Sequence, residues 1–137
     1  MRPIKFRAWD AKAKAMFSPS SICFKGTTVW VCDAHGENKL EYELVNENAH
    51  LMQFTGLVDR NDKDIYEGDI VWVVNGSEGK QIAEVVWDPE RFCWHLKRGT
   101  IGNGWGLYQW RGEADDIQVI GNIYENPWLV AKTEATA

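Results

Sequence analysis

The strongest constraint on this chain is a period-two alternation of apolar and polar residues, cut by turn signals at short and regular intervals. Ile4, Phe6 and Ala8 alternate with Lys5 and Arg7. Leu40, Tyr42 and Leu44 alternate with Glu41 and Glu43, and Phe92, Trp94 and Leu96 with Arg91, Cys93, His95 and Lys97. Side chains of an extended backbone point to opposite faces in turn, so each run predicts a strand with one apolar and one wet face. Residues 70–74 are apolar at every position, which predicts a central strand covered on both sides. Further strands are expected over 22–25, 28–32, 51–55, 82–87 and 117–124, the last broken by a bulge at Gly121-Asn122. The breaks are Asp10-Ala-Lys-Ala-Lys14, Ser18-Pro19-Ser-Ser21, Asp33-Ala-His-Gly36, Asn75-Gly76, Asp88-Pro89-Glu90 and the glycine-rich 98–106. Helix competes with strand only over 37–48, where good helix formers occur without proline, and one helical turn is allowed after Pro127. The expectation is an all-β protein with very little helix, a sandwich or small barrel.

A chain of 137 residues with 45% hydrophobic and 26% charged content can bury a real core, which sets intrinsic disorder aside. It suits one compact domain 1–137 that can divide into an N-terminal β lobe (1–58), a C-terminal small β-barrel lobe (59–127) and a frayed tail (128–137). The net charge of −5 is unevenly spread. Residues 1–32 carry six bases against Asp10 alone, whereas residues 33–69 carry ten acids against three bases. Complementary solvated lobes explain this, and so does a local basic surface able to meet phosphate. Three cysteines without a Cys-x-x-Cys pair, no apolar signal stretch in MRPIKFRAWD and no long apolar run predict free thiols, a cytoplasmic setting and no membrane contact.

Four segments carry a resemblance: Ile4-Lys-Phe-Arg-Ala-Trp-Asp10, Met52-Gln-Phe-Thr-Gly-Leu57, Asp64-Ile-Tyr-Glu-Gly-Asp-Ile-Val71 and Val119-Ile-Gly-Asn-Ile-Tyr-Glu-Asn-Pro127. In this order, from end to end, they resemble the YopX family of phage and prophage proteins. The resemblance implies strongly twisted sheets forming pseudo-barrels, encoded by a phage or prophage and acting in a bacterial cytoplasm. It implies no activity. Where the family usually has glycine, this chain has Asp62, a residue that tolerates the left-handed conformation better than most. A strand opening on Gly68-Asp69-Ile70-Val71 and followed by several more also resembles an SH3-like barrel in the C-terminal part, an analogy of fold alone.

Reactive constellations are thin. Asp59, Asn61, Asp62 and Asp64 invite calcium, but Lys63, Asp64 and Ile70 fall at offsets where a calcium loop needs an oxygen ligand, glycine and glutamate. The segment reads instead as a turn closed by its own side chains. Cys32-x-x-His35 and Cys93-x-His95 offer zinc-type ligands at atypical spacing. No nucleophile elbow or cysteine signature is present, the pairs Asp115-Asp116 and Glu41/Glu43 read as solvated faces, and Gly102-Asn-Gly-Trp-Gly106 lacks the lysine and helix of a phosphate loop. The chain is therefore expected to be no enzyme and to need no cofactor or metal.

Two binding functions remain. A protein-interaction or assembly module, with a protein partner or a second copy, requires no missing chemistry and ranks first. The alternative is a small β-barrel that binds single-stranded nucleic acid. Its phosphate-tracking edge would be Lys5, Arg7, Lys12 and Lys14, with Trp9, Trp105, Tyr108 and Trp110 as stacking candidates.

Overall fold

The computed structural model describes residues 3–19, 21–25, 28–32, 41–43, 49–75, 79–97, 105–107 and 117–130. Their regular structure is almost entirely strand: β1 (Phe6–Asp10), β2 (Ala15–Phe17), β3 (Ser21–Lys25), β4 (Thr28–Cys32), β5 (Glu41–Glu43), β6 (Ala49–Val58), β7 (Asp64–Tyr66), β8 (Asp69–Asn75), β9 (Gly79–Asp88), β10 (Cys93–Lys97), β11 (Trp105–Gly106) and β12 (Ile117–Asn122). One helical turn follows at 128–130. The all-β expectation is met. The expected strands over 22–25 and 28–32 coincide with β3 and β4, and β5 occupies the centre of the 40–44 run. The turn at Asp33–Gly36 and most of the helix-compatible 37–48 lie outside the described residues, as does most of the loop 98–106.

The chain divides into two compact units, Pro3–Gln53 and Phe54 onward. In the first, β1 pairs antiparallel with β2 and with the opening half of β6, while β3, β4 and β5 form an antiparallel meander. The Asp10 carboxylate accepts the N–H groups of Lys12 (2.9 Å) and Ala13 (3.1 Å), closing the β1–β2 turn as an Asx turn. Ala8, Val31, Ala49 and Met52 are buried, and alternation along β1 buries Ala8 while its neighbours Arg7 and Trp9 stay half-covered. Ile4, predicted to continue the apolar face, lies ahead of β1 and is exposed.

The second unit is a curled half-barrel sheet in the order β11-β10-β9-β8-β12. Register explains its core. Val71 opposes Ala83 and Val119, Val73 opposes Ile117, and Val85 opposes Leu96, so period two puts all of them on one face. Ile65 and Leu107 join them, with Leu57 and Trp94 packed at the margin. β8 is an interior strand, paired with β9 on one side and β12 on the other, as its unbroken apolar run predicts, although Trp72 is only half-buried and Val74 is exposed.

Three local irregularities shape these strands and their connections. The closing half of β6 pairs with β7 through a register shift between Phe54 and Val58, where Gly56 takes φ 92°. Between β7 and β8, Gly68 (φ 84°) donates its N–H to Val85 and accepts from Ile123, and the buried Asp69 carboxylate accepts the Tyr66 N–H at 2.8 Å. β12 shifts register between Val119 and Gly121, close to where the Gly121-Asn122 bulge is expected.

Candidate functional site

The predicted basic edge falls in the first unit. Lys5 is exposed just ahead of β1, Arg7 and Trp9 share one face of β1, and Lys12 and Lys14 are exposed in the β1–β2 turn. Arg7 does not project freely. Its Nε lies 3.4 Å from the sulfur of the buried Met52, its cross-strand neighbour, so its stem packs along apolar surface. Trp105 belongs to β11 of the other unit, and Tyr108 and Trp110 lie outside the described residues. The structure therefore groups Arg7 and Trp9 on one face of β1, with Lys5 just ahead of that strand, and Lys12 with Lys14 in one turn.

The reactive candidates resolve individually. Asp59 is buried with both carboxylate oxygens occupied: Oδ1 accepts the N–H groups of Asn61 (2.8 Å) and Lys63 (2.9 Å), and Oδ2 accepts that of Val119 (2.9 Å). It closes the turn, as the sequence predicts, and also ties that turn to β12, which the sequence does not reveal. Asp62 sits at φ 59°, a left-handed position in the turn that Asp tolerates better than most residues. Cys93, a free thiol, and His95 share the outer face of β10, whereas Cys32 lies in the other unit and His35 outside the described residues. Among the described residues no three His, Cys, Asp or Glu side chains cluster as a metal site.

Two aromatic surfaces on the second unit were not anticipated. The first is the β9–β10 hairpin. Trp87 opposes Trp94, their ring centroids 5.1 Å apart at 75°, an edge-to-face pair that prolongs the core face toward the hairpin tip. Asp88 closes the turn by accepting from the backbone of Glu90 and Arg91 and from the Arg91 side chain at 3.1 Å. Phe92, expected at the start of the strand's apolar face, instead lies in the turn at φ 54° and is 79% exposed; Trp87 is 45% exposed. The turn consumes one more residue than alternation suggests, and β10 starts at Cys93.

The second surface lies on the opposite face. Trp72 stands between Ile82 and Gln118 in the cross-strand row. The Lys80 ammonium is 4.2 Å from its ring centroid and the Arg60 guanidinium carbon 5.4 Å, two cation–π contacts on one indole. Arg60 is brought there by the Asp59 turn, since its N–H donates to the Ile117 carbonyl at 2.9 Å. These three residues are dispersed in sequence. The available signal was parity: Trp72 is out of phase with Val71 and Val73, and therefore faces away from the core they line.

Glu84 lies farther along that outer face, opposite Lys97. Burial lifts its carboxyl above the ordinary 4.5; Lys97 pulls it down and Glu67 pushes it up. As pH rises, the unfolded chain ionises this group first, so the fold loses stability through that window and does not regain it at neutral pH. Glu84→Gln is expected to raise the unfolding midpoint at about pH 7 and to leave it unchanged below about pH 4, read by denaturant titration at both. An equal gain at both pH values would assign the effect to packing.

A family model described as YopX protein matches residues 5–131. Among solved structures, the crystal structure of protein EF1440 from Enterococcus faecalis is similar: 24% identity, 95% of this chain and 99% of that chain covered, TM-score 0.62. That likeness is one of fold. No curated protein matches the chain. Among the described residues no helix is long and apolar enough to cross a membrane.

Proposed function

The chain belongs to the YopX family, and from that premise we propose that it is a non-enzymatic phage or prophage accessory protein that holds another protein chain through the tip of the β9–β10 hairpin. The reading places it in the bacterial cytoplasm, where its free Cys93 thiol is compatible with a reducing milieu.

The observation that carries it is Phe92. A left-handed backbone costs an L-residue roughly 1–2 kcal/mol, which glycine avoids. Phenylalanine gains little in exchange at 79% exposure, and it has no ring partner among the described residues. A strained, exposed aromatic is therefore poor for folding and well suited to contact. Trp87 lies in the same hairpin, its ring fixed by Trp94, so a partner would meet aromatic surface whose ordering cost has already been met within the fold.

Phe92→Gly separates the two roles. It is expected to stabilise the fold by roughly 0.5–1 kcal/mol while abolishing association. A photo-crosslinking benzoylphenylalanine at position 92, introduced in bacterial cells, is expected to give one defined adduct that disappears with Trp87→Ser. That adduct contains either a distinct protein or a second copy of the chain. The same adducts from position 61, an exposed turn residue, would overturn the reading, as would an adduct indifferent to Trp87.

A further inference from the structure

We infer that the outer face of the half-barrel, at Arg60, Trp72 and Lys80, is a binding site for single-stranded nucleic acid, with a base stacked on Trp72 and backbone phosphates held by the cations that flank it. This rests on a surface distinct from the hairpin tip: Trp72 faces away from the core, whereas Trp87 lies on the core-side face.

Three observations converge. Trp72 projects from the middle of the interior strand β8 onto the outer face of the sheet, half-buried and flanked by Ile82 and Gln118. A half-exposed indole flanked by cations is a platform on which bases stack without sequence preference. Arg60 and Lys80 are exposed, and neither forms an ion pair among the described residues; both are drawn instead to the indole. Arg60 reaches the ring from the β12 side and Lys80 from the β9 side, so exposed positive charge flanks the indole on both sides. A free phosphate would satisfy the cations and leave the ring unused, whereas a nucleotide uses both. Gln118, directly across from Trp72, supplies an amide able to both donate and accept at a base edge.

The geometry also sets the mode of binding. Lys80 lies 4.2 Å from the ring centroid, in the space that a stacking base would take. Its long, exposed side chain can swing out to a phosphate as the base arrives, exchanging a cation–π contact for a charge-assisted hydrogen bond. The net charge of −5 limits long-range attraction, so affinity depends on these local contacts and falls steeply with salt.

The test is fluorescence anisotropy of a labelled oligothymidine of about 16 nucleotides, measured between about 50 mM and about 200 mM salt. Arg60→Gln/Lys80→Gln is expected to weaken binding about tenfold and to flatten the log–log salt slope by roughly 1 to 1.5. Trp72→Leu is expected to weaken it about tenfold with the slope unchanged, because stacking releases no counterions. Lys12→Gln/Lys14→Gln, in the other unit, is expected to leave binding as it was. Inorganic phosphate is expected to compete only weakly. The glutamine substitutions alter exposed side chains and keep the fold, so the test stays decisive if Trp72→Leu does not fold. The inference is overturned if the wild type fails to bind at about 50 mM salt, if the Arg60/Lys80 variant binds equally well, or if the Lys12/Lys14 variant is just as impaired.

Discussion

Asp59→Ala is expected to lower the free energy of unfolding by about 3–5 kcal/mol, seen as a shifted denaturant midpoint at unchanged slope. The figure follows from three backbone donors that converge on one buried carboxylate. Asn61 and Lys63 are exposed and can regain water, so losing their bonds costs only the net worth of each. The Val119 N–H is different: its bond to Asp59 is buried, and without the carboxylate it is left orphaned beside the β12 bulge. Asp59→Asn discriminates between these terms. Its one oxygen can serve the Asn61 and Lys63 donors, but its NH2 then faces the Val119 N–H, donor against donor. An intermediate loss of about 2 kcal/mol is expected. Equal midpoints for Asn and wild type would show that the Val119 bond contributes nothing. The effect also reaches the candidate nucleic-acid site, because the turn that Asp59 closes carries Arg60 to Trp72.

How far the fold was legible depends on the range of the information. β8 declared itself through five consecutive apolar residues, and β3, β4 and β9 through short runs between turn signals, because period two and turn chemistry are local properties. Phe92 marks where that reasoning stopped. Its parity matches Trp94 and Leu96, yet the turn closed by Asp88 extends through it and leaves it left-handed and exposed. Alternation gives the phase of a strand but not the residue at which the strand begins. Of the long β6 only the part expected over 51–55 was legible, for a related reason: a register shift around Gly56 breaks the periodicity that would have revealed its second half.

The candidate sites were less legible, since each is a through-space arrangement. Lys5, Arg7, Lys12 and Lys14 drew notice because they crowd together in sequence, but Met52 engages Arg7 from across the sheet. Arg60, Trp72 and Lys80 come from a turn and two strands, and the β8–β9 and β8–β12 registers that bring them together are long-range facts. Asp59 shows both sides of this. Its Asx-turn role follows from the local Asp59–Lys63 segment, whereas its bond to Val119 spans sixty residues and no local signal encodes it.

Gly121→Ala carries the other large effect, and it shows why this glycine is needed. Its backbone is not left-handed, unlike that of Gly56 or Gly68, so conformational freedom is not the reason. The constraint is the approach of Asn126: a Cβ at position 121 would lie 2.8 Å from its Cγ and 3.0 Å from its Cβ, and closer still to Oδ1. Asn126 cannot swing aside freely. Its Oδ1 accepts the Asn122 N–H at 3.2 Å and its own N–H donates to the Asn122 carbonyl at 2.8 Å. Asn122 in turn accepts from Tyr124 and Glu125 and donates to the Glu125 carboxylate. Gly121→Ala is therefore expected to cost about 2–3 kcal/mol, by overpacking and by displacing that side chain. Asn126→Ala alone is expected to cost about 1 kcal/mol. In the double variant the obstacle is gone before the methyl arrives, so its cost should fall short of the sum by at least about 1 kcal/mol. Strict additivity would remove Asn126 as the cause and place the demand for glycine in the β12 bulge itself, where the register shifts between Val119 and Gly121.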